Sequence, residues 1–348
     1  MTTVEEFGAK RFVADTLAIF SFLSPNQRAL LQYHRGAESL DLSKPAFIYT
    51  GRGPSKASFH IGHLPALNLC LAFQKHFNTP IRFMISDDEK MFRDGIDRAK
   101  MEENVSETLE QLARIGFHAD NTQFRINSAG ISPAEYELVI RMLASTSVHT
   151  LSSIFGEKNN LGEYFYPLIQ ILPCFCMDQQ CVVIAGIDQD PFFRLARGMA
   201  RKLGFAPPIV LYTHSVPGLD GSEKMSTSVP SSLPIFLKDS PEEIAEKVSK
   251  IRKVGAGSLD ELFAHGAVLD VDVPYRLLNF FDESGNLPLI TKAYTCGLTD
   301  TTEIATLATL VPSSGIKTRD SRTMMTSFGI RQYLTSVIVS VCVRGGCL

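Results

Sequence analysis

Short apolar, β-branched runs alternate with longer segments of helical period through most of the chain. Residues 46–50 (Ala-Phe-Ile-Tyr-Thr) form the first clear run and stop at Gly51-Arg52-Gly53-Pro54, which reads as a strand meeting a tight turn. From His63 the apolar positions Leu64, Leu67 and Leu71 recur at helical spacing up to Phe77, and residues 81–85 then read as a second strand. Strand, loop, helix and strand in this order imply a parallel, right-handed crossover.

The alternation continues. Met101, Val105, Leu109, Leu112 and Ile115 lie on one face of a helix over 99–115, and a strand follows at 123–126. Ser132 and Pro133 suit the N-cap and first position of a long apolar helix over 133–155. A strand at 182–185 ends at Gly186, a helix spans 191–203, and residues 209–212 supply a further strand. Five parallel strands separated by helices predict an α/β, Rossmann-like sheet whose ligands sit beyond the strands' C-terminal ends. From Pro241-Glu242-Glu243 onward only helical patterns remain. The expected organisation is a helical extension over 1–45, a Rossmann-like catalytic domain over 46–240 and a helical domain over 241–348.

With 348 residues, 45% of them hydrophobic, the chain can bury a substantial core. Residues 1–10 mix acids and bases without an apolar stretch, and no apolar run approaches the ~20 residues of a membrane helix. The longest, 334–343, contains Thr335, Ser336 and Ser340 and reads as a buried helix or strand. No membrane association is expected. Seven cysteines without framework spacing fit a reducing, cytoplasmic compartment. Cys174, Cys176 and Cys181 lack the partners that would complete a tetrahedral set, so they read as packed thiols and no protein metal site is expected. The formal charge of −3 argues against indiscriminate coating of nucleic acid and leaves room for a local basic face.

Candidate chemistry concentrates at strand ends. After the first strand comes His60-Ile61-Gly62-His63, two imidazoles and a glycine at the start of a helix, a combination suited to polyphosphate. After the last strand comes Gly218-Leu219-Asp220-Gly221-Ser222-Glu223, then Lys224-Met225-Ser226-Thr227-Ser228. The glycines suggest a mobile loop, and a lysine among hydroxyls can neutralise a departing pyrophosphate.

In this order the two clusters resemble the HIGH and KMSKS signatures of class I aminoacyl-tRNA synthetases, with Thr227 where the second consensus has lysine. Tyr49 to Ser55, Asp87-Asp88-Glu89-Lys90 and Gly186-Ile187-Asp188-Gln189-Asp190-Pro191 are similar to eukaryotic and archaeal tryptophanyl-tRNA synthetases. The resemblance runs over about 46–296 and includes Asp270-Val271-Asp272-Val273, Leu277, Phe280 and Phe281, which look like that family's helical anticodon-binding domain.

The resemblance implies ATP-dependent activation of tryptophan and its transfer to tRNA, with Mg²⁺ accompanying ATP and a homodimer as the assembly. It assigns the phosphate chemistry to His60, His63, Lys224 and Ser226. ATP contacts fall to Arg52, Gly53, Gly62, Asp188 (on the ribose) and Met225, and the amino acid to Tyr49, Met84, Glu89, Gln170 and Gln189. Two departures stand out: Met84 replaces a glutamine that contacts the indole nitrogen in the family, and residues 311–348 follow the family's closing helix poorly. A tyrosyl-tRNA synthetase, suggested by Val216-Pro217-Gly218-Leu219, and a regulatory protein that has lost catalysis remain alternatives.

Overall fold

The computed structural model describes residues 5, 7–41, 43–54, 59–94, 97–251, 265–282, 285, 287–296 and 327–344. Ser55 of the first resemblance block, and residues 311–326 and 345–348 of the divergent C-terminus, lie outside them. Two compact units divide the chain: Met1–Lys56 with Ala66–His214, and Ala57–Pro65 with Ser215–Leu348.

The strands are β1 (Lys10–Arg11), β2 (Leu31–Arg35), β3 (Ala46–Arg52), β4 (Ile81–Ile85), β5 (Thr122–Ile126), β6 (Gln180–Gly186) and β7 (Ile209–Thr213). The helices are α1 (Ala14–Ala18), α2 (Pro25–Ala29), α3 (Leu64–Phe77), α4 (Met91–Asp94), α5 (Arg98–Ile115), α6 (Pro133–Ala144), α7 (Val148–Phe155), α8 (Leu161–Ile171), α9 (Asp190–Leu203), α10 (Pro241–Ser249), α11 (Val273–Phe281), α12 (Leu287–Cys296) and α13 (Ser327–Arg344).

The strands form one sheet in the order β1-β2-β7-β6-β3-β4-β5. All five strands expected from the sequence are there and run parallel, with Ile48 opposite Ile81, Phe83 opposite Phe124 and Val183 opposite Val210. From β3 the chain winds outward through β4 and β5, then returns to the other side of β3 as β6. That reversal opens a crevice at the C-terminal ends of β3 and β6, where open α/β sheets bind ligands.

Residues 1–45, expected to be helical, hold α1 and α2 but also β1 and β2, which extend the sheet antiparallel to β7. Leu31, Tyr33, His34 and Arg35 are buried there. Arg35 earns its place through a bidentate pair with Asp190 at the start of α9, Nε to Oδ1 at 2.7 Å and Nη2 to Oδ2 at 3.0 Å. Both side chains are under 10% exposed, at 7% and 3%. Asp190→Ala would leave this guanidinium buried with no carboxylate, against the Phe7 carbonyl and the Tyr212 phenol, and is expected to destabilise the first unit by about 3–5 kcal/mol in urea unfolding. A loss under about 1 kcal/mol would show that the pair is dispensable.

The expected helix over 133–155 is two helices, α6 and α7, bent by 88°. Ser145 closes α6, and the Ser147 hydroxyl caps α7 by accepting from the Thr150 N–H at 3.1 Å. Helices α6, α8 and α9 cover one sheet face, packing Leu138, Met142, Leu168, Ile171, Ala196 and Met199 against Phe47, Tyr49, Val183 and Val210. In the second unit the apolar run 334–343 is helical, as part of α13, with Leu334, Ile338 and Cys342 fully buried. It packs against α10 and α11, and the Tyr333 hydroxyl donates to Asp282 at 2.7 Å. Among the described residues no single helix is long and apolar enough to cross a membrane.

Candidate active site

In the first unit, the strand ends at the crevice gather most of the residues assigned to the amino acid. Tyr49 sits on β3 with 1% exposure, and its hydroxyl donates to the backbone carbonyl of Gln170 on α8. The same oxygen lies 3.3 Å from Met84 Sδ, on the neighbouring strand β4. Gly51 faces Met84 across the β3–β4 ladder, and a Cβ there would stand 2.9 Å from the Met84 carbonyl oxygen. The glycine is what lets the two strands carry this pair at close approach.

Gln170, inward-facing on α8, donates from Nε2 to Gln189 Oε1 at 2.8 Å, and Gln189 Nε2 donates to Asp188 Oδ2 at 2.9 Å. This relay fixes both amide orientations and leaves the Gln170 side-chain oxygen as an acceptor. Asp188 folds back over Gly186, where a Cβ would be 2.6 Å from Oδ1, so the carboxylate needs glycine beneath it. Gly53 lies beside Glu89, a Cβ there being 3.4 Å from Oε2. Burial brings the Arg52 guanidinium down to about 10, so it stays charged at neutral pH.

Two residues join this set that the sequence did not single out. Tyr166 is buried, and its phenol is pushed up first by burial and then by the charge of Glu89, with Ser86 as a hydrogen-bond neighbour. Tyr166 precedes Gln170 by one helical turn of α8, a spacing that would have marked it once Gln170 was placed. The neighbouring Asp87 and Asp88 face away into a brace: Asp87 accepts from the Ser128 N–H at 3.0 Å and Asp88 from Asn127 at 2.9 Å. Burial, foremost, raises the Asp88 carboxyl.

In the second unit, His60 caps a short turn over Ile61–His63. Its Nδ1 accepts from the Gly62 N–H at 3.2 Å, which puts the ring proton of the neutral form on Nε2. His63 Nδ1 lies 3.2 Å from the His60 N–H, and the two rings are 3.8 Å apart. A Cβ on Gly62 would come within 2.8 Å of the His60 ring and 3.4 Å of Met225 Cβ. Thus both signature motifs meet in this unit across Gly62, and the glycine keeps the approach open.

Lys224 and Thr227 are exposed while Met225 is buried, anchored by its N–H to the Val216 carbonyl at 2.7 Å. The segment expected to be a mobile loop is tied at its base. Asp220 accepts from the Ser222 hydroxyl at 2.6 Å and the Ser231 hydroxyl at 2.9 Å, bonds that hold its carboxyl below the usual range. Ser232 Oγ accepts from the Ser226 N–H at 2.9 Å. The lysine is therefore presented from an ordered platform.

The family model for class I tRNA synthetases (W and Y) matches residues 42–280. The cytoplasmic tryptophan–tRNA ligase of Schizosaccharomyces pombe is 30% identical, over 86% of this chain and 82% of its own length. This chain belongs to the tryptophanyl-tRNA synthetase family. A Bos taurus cytoplasmic tryptophan–tRNA ligase is 31% identical over 78% of the chain, which spans only 60% of that relative. The Plasmodium falciparum tryptophanyl-tRNA synthetase crystal structure superposes with a TM-score of 0.81 at 27% identity, covering 98% of this chain and 90% of that one. The Rossmann-like class I fold of the family accounts for the parallel sheet.

Proposed function

We propose that the chain activates tryptophan with ATP to the adenylate and transfers it to tRNA, with the residue roles given below. The observation that carries the reading is the Tyr49–Gln170–Gln189–Asp188 network at the crevice between β3 and β6. Gln170, held by Gln189, offers its free side-chain oxygen to the substrate ammonium, with Glu89 adding negative charge. Tyr49 keeps lone pairs for the indole N–H after donating its own proton to the Gln170 carbonyl. Asp188 accepts from the ATP ribose, and Arg52 and Gly53 lie on the nucleotide side.

The substrate carboxylate attacks the α-phosphate in line and pyrophosphate leaves, so rate comes from orientation and from charge aimed at the transition state. His60 and His63 donate from their rings to the phosphate region, Gly62 and Met225 shape the adenine side, and Lys224 with Ser226 takes the leaving pyrophosphate. Among the described residues no three His, Cys, Asp or Glu side chains converge as a metal cage. Mg²⁺ enters this reading as the companion of the ATP phosphates, where such ions keep most of their ligands. The helices of the second unit supply the tRNA-binding domain over 241–348, and the cytoplasm is the compartment named for the relatives.

The tyrosyl alternative is not favoured, because the Schizosaccharomyces pombe and Bos taurus relatives are both tryptophan–tRNA ligases. Intact His60, His63 and Lys224 speak against a chain that has lost catalysis. Charging of tRNA with labelled tryptophan tests the reading: stable, ATP-dependent incorporation is expected, and its absence in folded protein would refute it.

A homodimer fits one surface of the first unit. Tyr136, Ile140 and Leu143 recur at helical spacing on α6 and are 61%, 49% and 46% exposed, an apolar stripe on an otherwise solvated face. Light scattering should give twice the chain mass, and Tyr136→Glu with Ile140→Glu should convert the protein to a folded monomer. A monomeric wild type, or a double variant that stays dimeric, would remove this surface from the assembly.

A further inference from the structure

On the β5 side of the sheet, in the first unit, lies a cavity of about 690 Å³ that shares no residue with the tryptophan and ATP positions above. It is lined by Arg82 of β4, Arg125 of β5, Glu135, Glu137 and Arg141 of α6, and by the rings of Phe175 and Phe205. Its size is that of a small-molecule site.

Strand alternation puts Arg82 and Arg125 on the same sheet face: Arg82 pairs with Gln123, and Arg125 pairs with Met84. On these two strands that face carries Arg82, Met84, Gln123 and Arg125, so a polar strip lies beside the apolar face of β3 and β6. Arg125 donates from Nη1 to Glu135 Oε1. The other oxygen of Glu135 accepts from the Ser132 N–H at 3.0 Å, as part of the α6 cap. Each Glu135 oxygen thus has a nitrogen donor, and the Cys176 thiol lies 3.5 Å from Oε1. Arg141 is also engaged, donating to the Leu203 carbonyl at 2.7 Å.

What remains are Arg125 Nε, Arg125 Nη2 and Arg82 Nη1, all buried and without a hydrogen-bond partner. A buried donor left unmatched is costly, and the usual reason for its retention is a ligand, an ion or ordered water. The two unpartnered nitrogens of Arg125 are not arbitrary. Nε and Nη2 form one edge of the guanidinium, the fork that takes the two oxygens of a carboxylate side by side. Phe175 and Phe205, with ring centroids 5.4 Å apart, supply apolar walls for the remainder of a ligand.

We propose that this cavity binds a small organic carboxylate with an apolar body, its two oxygens held by the Nε/Nη2 edge of Arg125 and by Arg82. The site stands independently of the synthetase reading, because none of its residues serves that chemistry. Glu137 at the lining sets a preference for a single negative charge on the ligand.

Benzoate is the probe, its neutral amide benzamide the control, and titration calorimetry on the full chain with tryptophan at saturation the measurement. Benzoate is expected to bind saturably, at least about tenfold more tightly than benzamide, as a charge-assisted bidentate contact requires. Arg82→Gln should weaken benzoate by about tenfold or more. Ala134→Glu, on the exposed first turn of α6 beside the cavity, adds a competing carboxylate where a helix tolerates one and should abolish binding with aminoacylation intact. It keeps the test decisive if Arg82→Gln fails to fold. Equal affinity for benzoate and benzamide, displacement of benzoate by tryptophan, or unchanged binding in Ala134→Glu would each overturn the proposal.

Discussion

Lys224→Ala is expected to slow tryptophan-dependent pyrophosphate exchange by about 10²–10³-fold while changing tryptophan affinity by less than about twofold. In the proposed role the ammonium acts on charge that develops as pyrophosphate departs, so its loss falls on the transition state and spares the bound amino acid. The backbone around it should not move. Asp220, Ser231 and Ser232 hold the segment through bonds that do not use the lysine side chain, and Met225 anchors it through its N–H. Lys224→Arg, which keeps a positive charge at the same place, should recover part of the rate. Exchange at wild-type speed in Lys224→Ala would remove the segment from the mechanism, whereas an equal loss in tryptophan binding would make it a binding element.

Tyr49→Phe carries the second large effect. Under the proposed roles the variant removes an acceptor for the indole N–H, and it strips the Gln170 carbonyl of the Tyr49 donor in a buried setting. Leaving a buried polar group unmatched costs about 1–3 kcal/mol, so KM for tryptophan should rise by roughly 5–150-fold, with a smaller loss in kcat. The Met84 thioether beside it is a weak acceptor, so in the proposed reading Tyr49 is the side chain that accepts the indole N–H. A site that sorts by apolar fit alone discriminates by about 10–200-fold, whereas a hydrogen-bonding site can reach ~10⁴. Tyr49→Phe should therefore narrow the preference for tryptophan over tyrosine, and Met84→Gln should widen it. A Tyr49→Phe enzyme with unchanged KM and unchanged preference would show that the indole nitrogen is read elsewhere.

How far the sequence foretold this arrangement depended on the range of the interactions involved. The parallel strands were legible because each is a short apolar run closed by a turn, and the ends of β3 and β6 mark the crevice with Gly51, Gly53 and Gly186. The antiparallel extension through β2 was not legible: it pairs with β7, with Leu31 opposite Thr213, and no local pattern announces a pairing so distant in the chain. The break between α6 and α7 was written in the sequence, since Ser145-Thr146-Ser147 contains a good N-cap, but the apolar period continues across it and masked the signal.

The candidate site was legible in its motifs and not in its wiring. Gln170 could have faced solvent on its helix, and only the packing of α8 against the sheet turns it inward. Likewise Glu89 could have paired with Lys90 at the surface. Instead it lies by Gly53 and Tyr166, with Lys90 exposed. Tyr166 and Ser86 escaped notice because tyrosine and serine carry no signature by themselves. Arg82 and Arg125 were equally silent, two arginines in strands whose burial becomes visible only when β4, β5 and α6 are assembled.

ATP–pyrophosphate exchange measured with tryptophan and with tyrosine, on the same preparation, tests the central claim most directly. The chain contains no tryptophan, so binding of the substrate can be followed by its own fluorescence in parallel. The expected result is exchange that depends on tryptophan and falls by at least about 10-fold when tyrosine replaces it. Exchange that runs with tyrosine and is silent with tryptophan would contradict the assignment of the Tyr49–Gln170–Gln189 network to the indole amino acid.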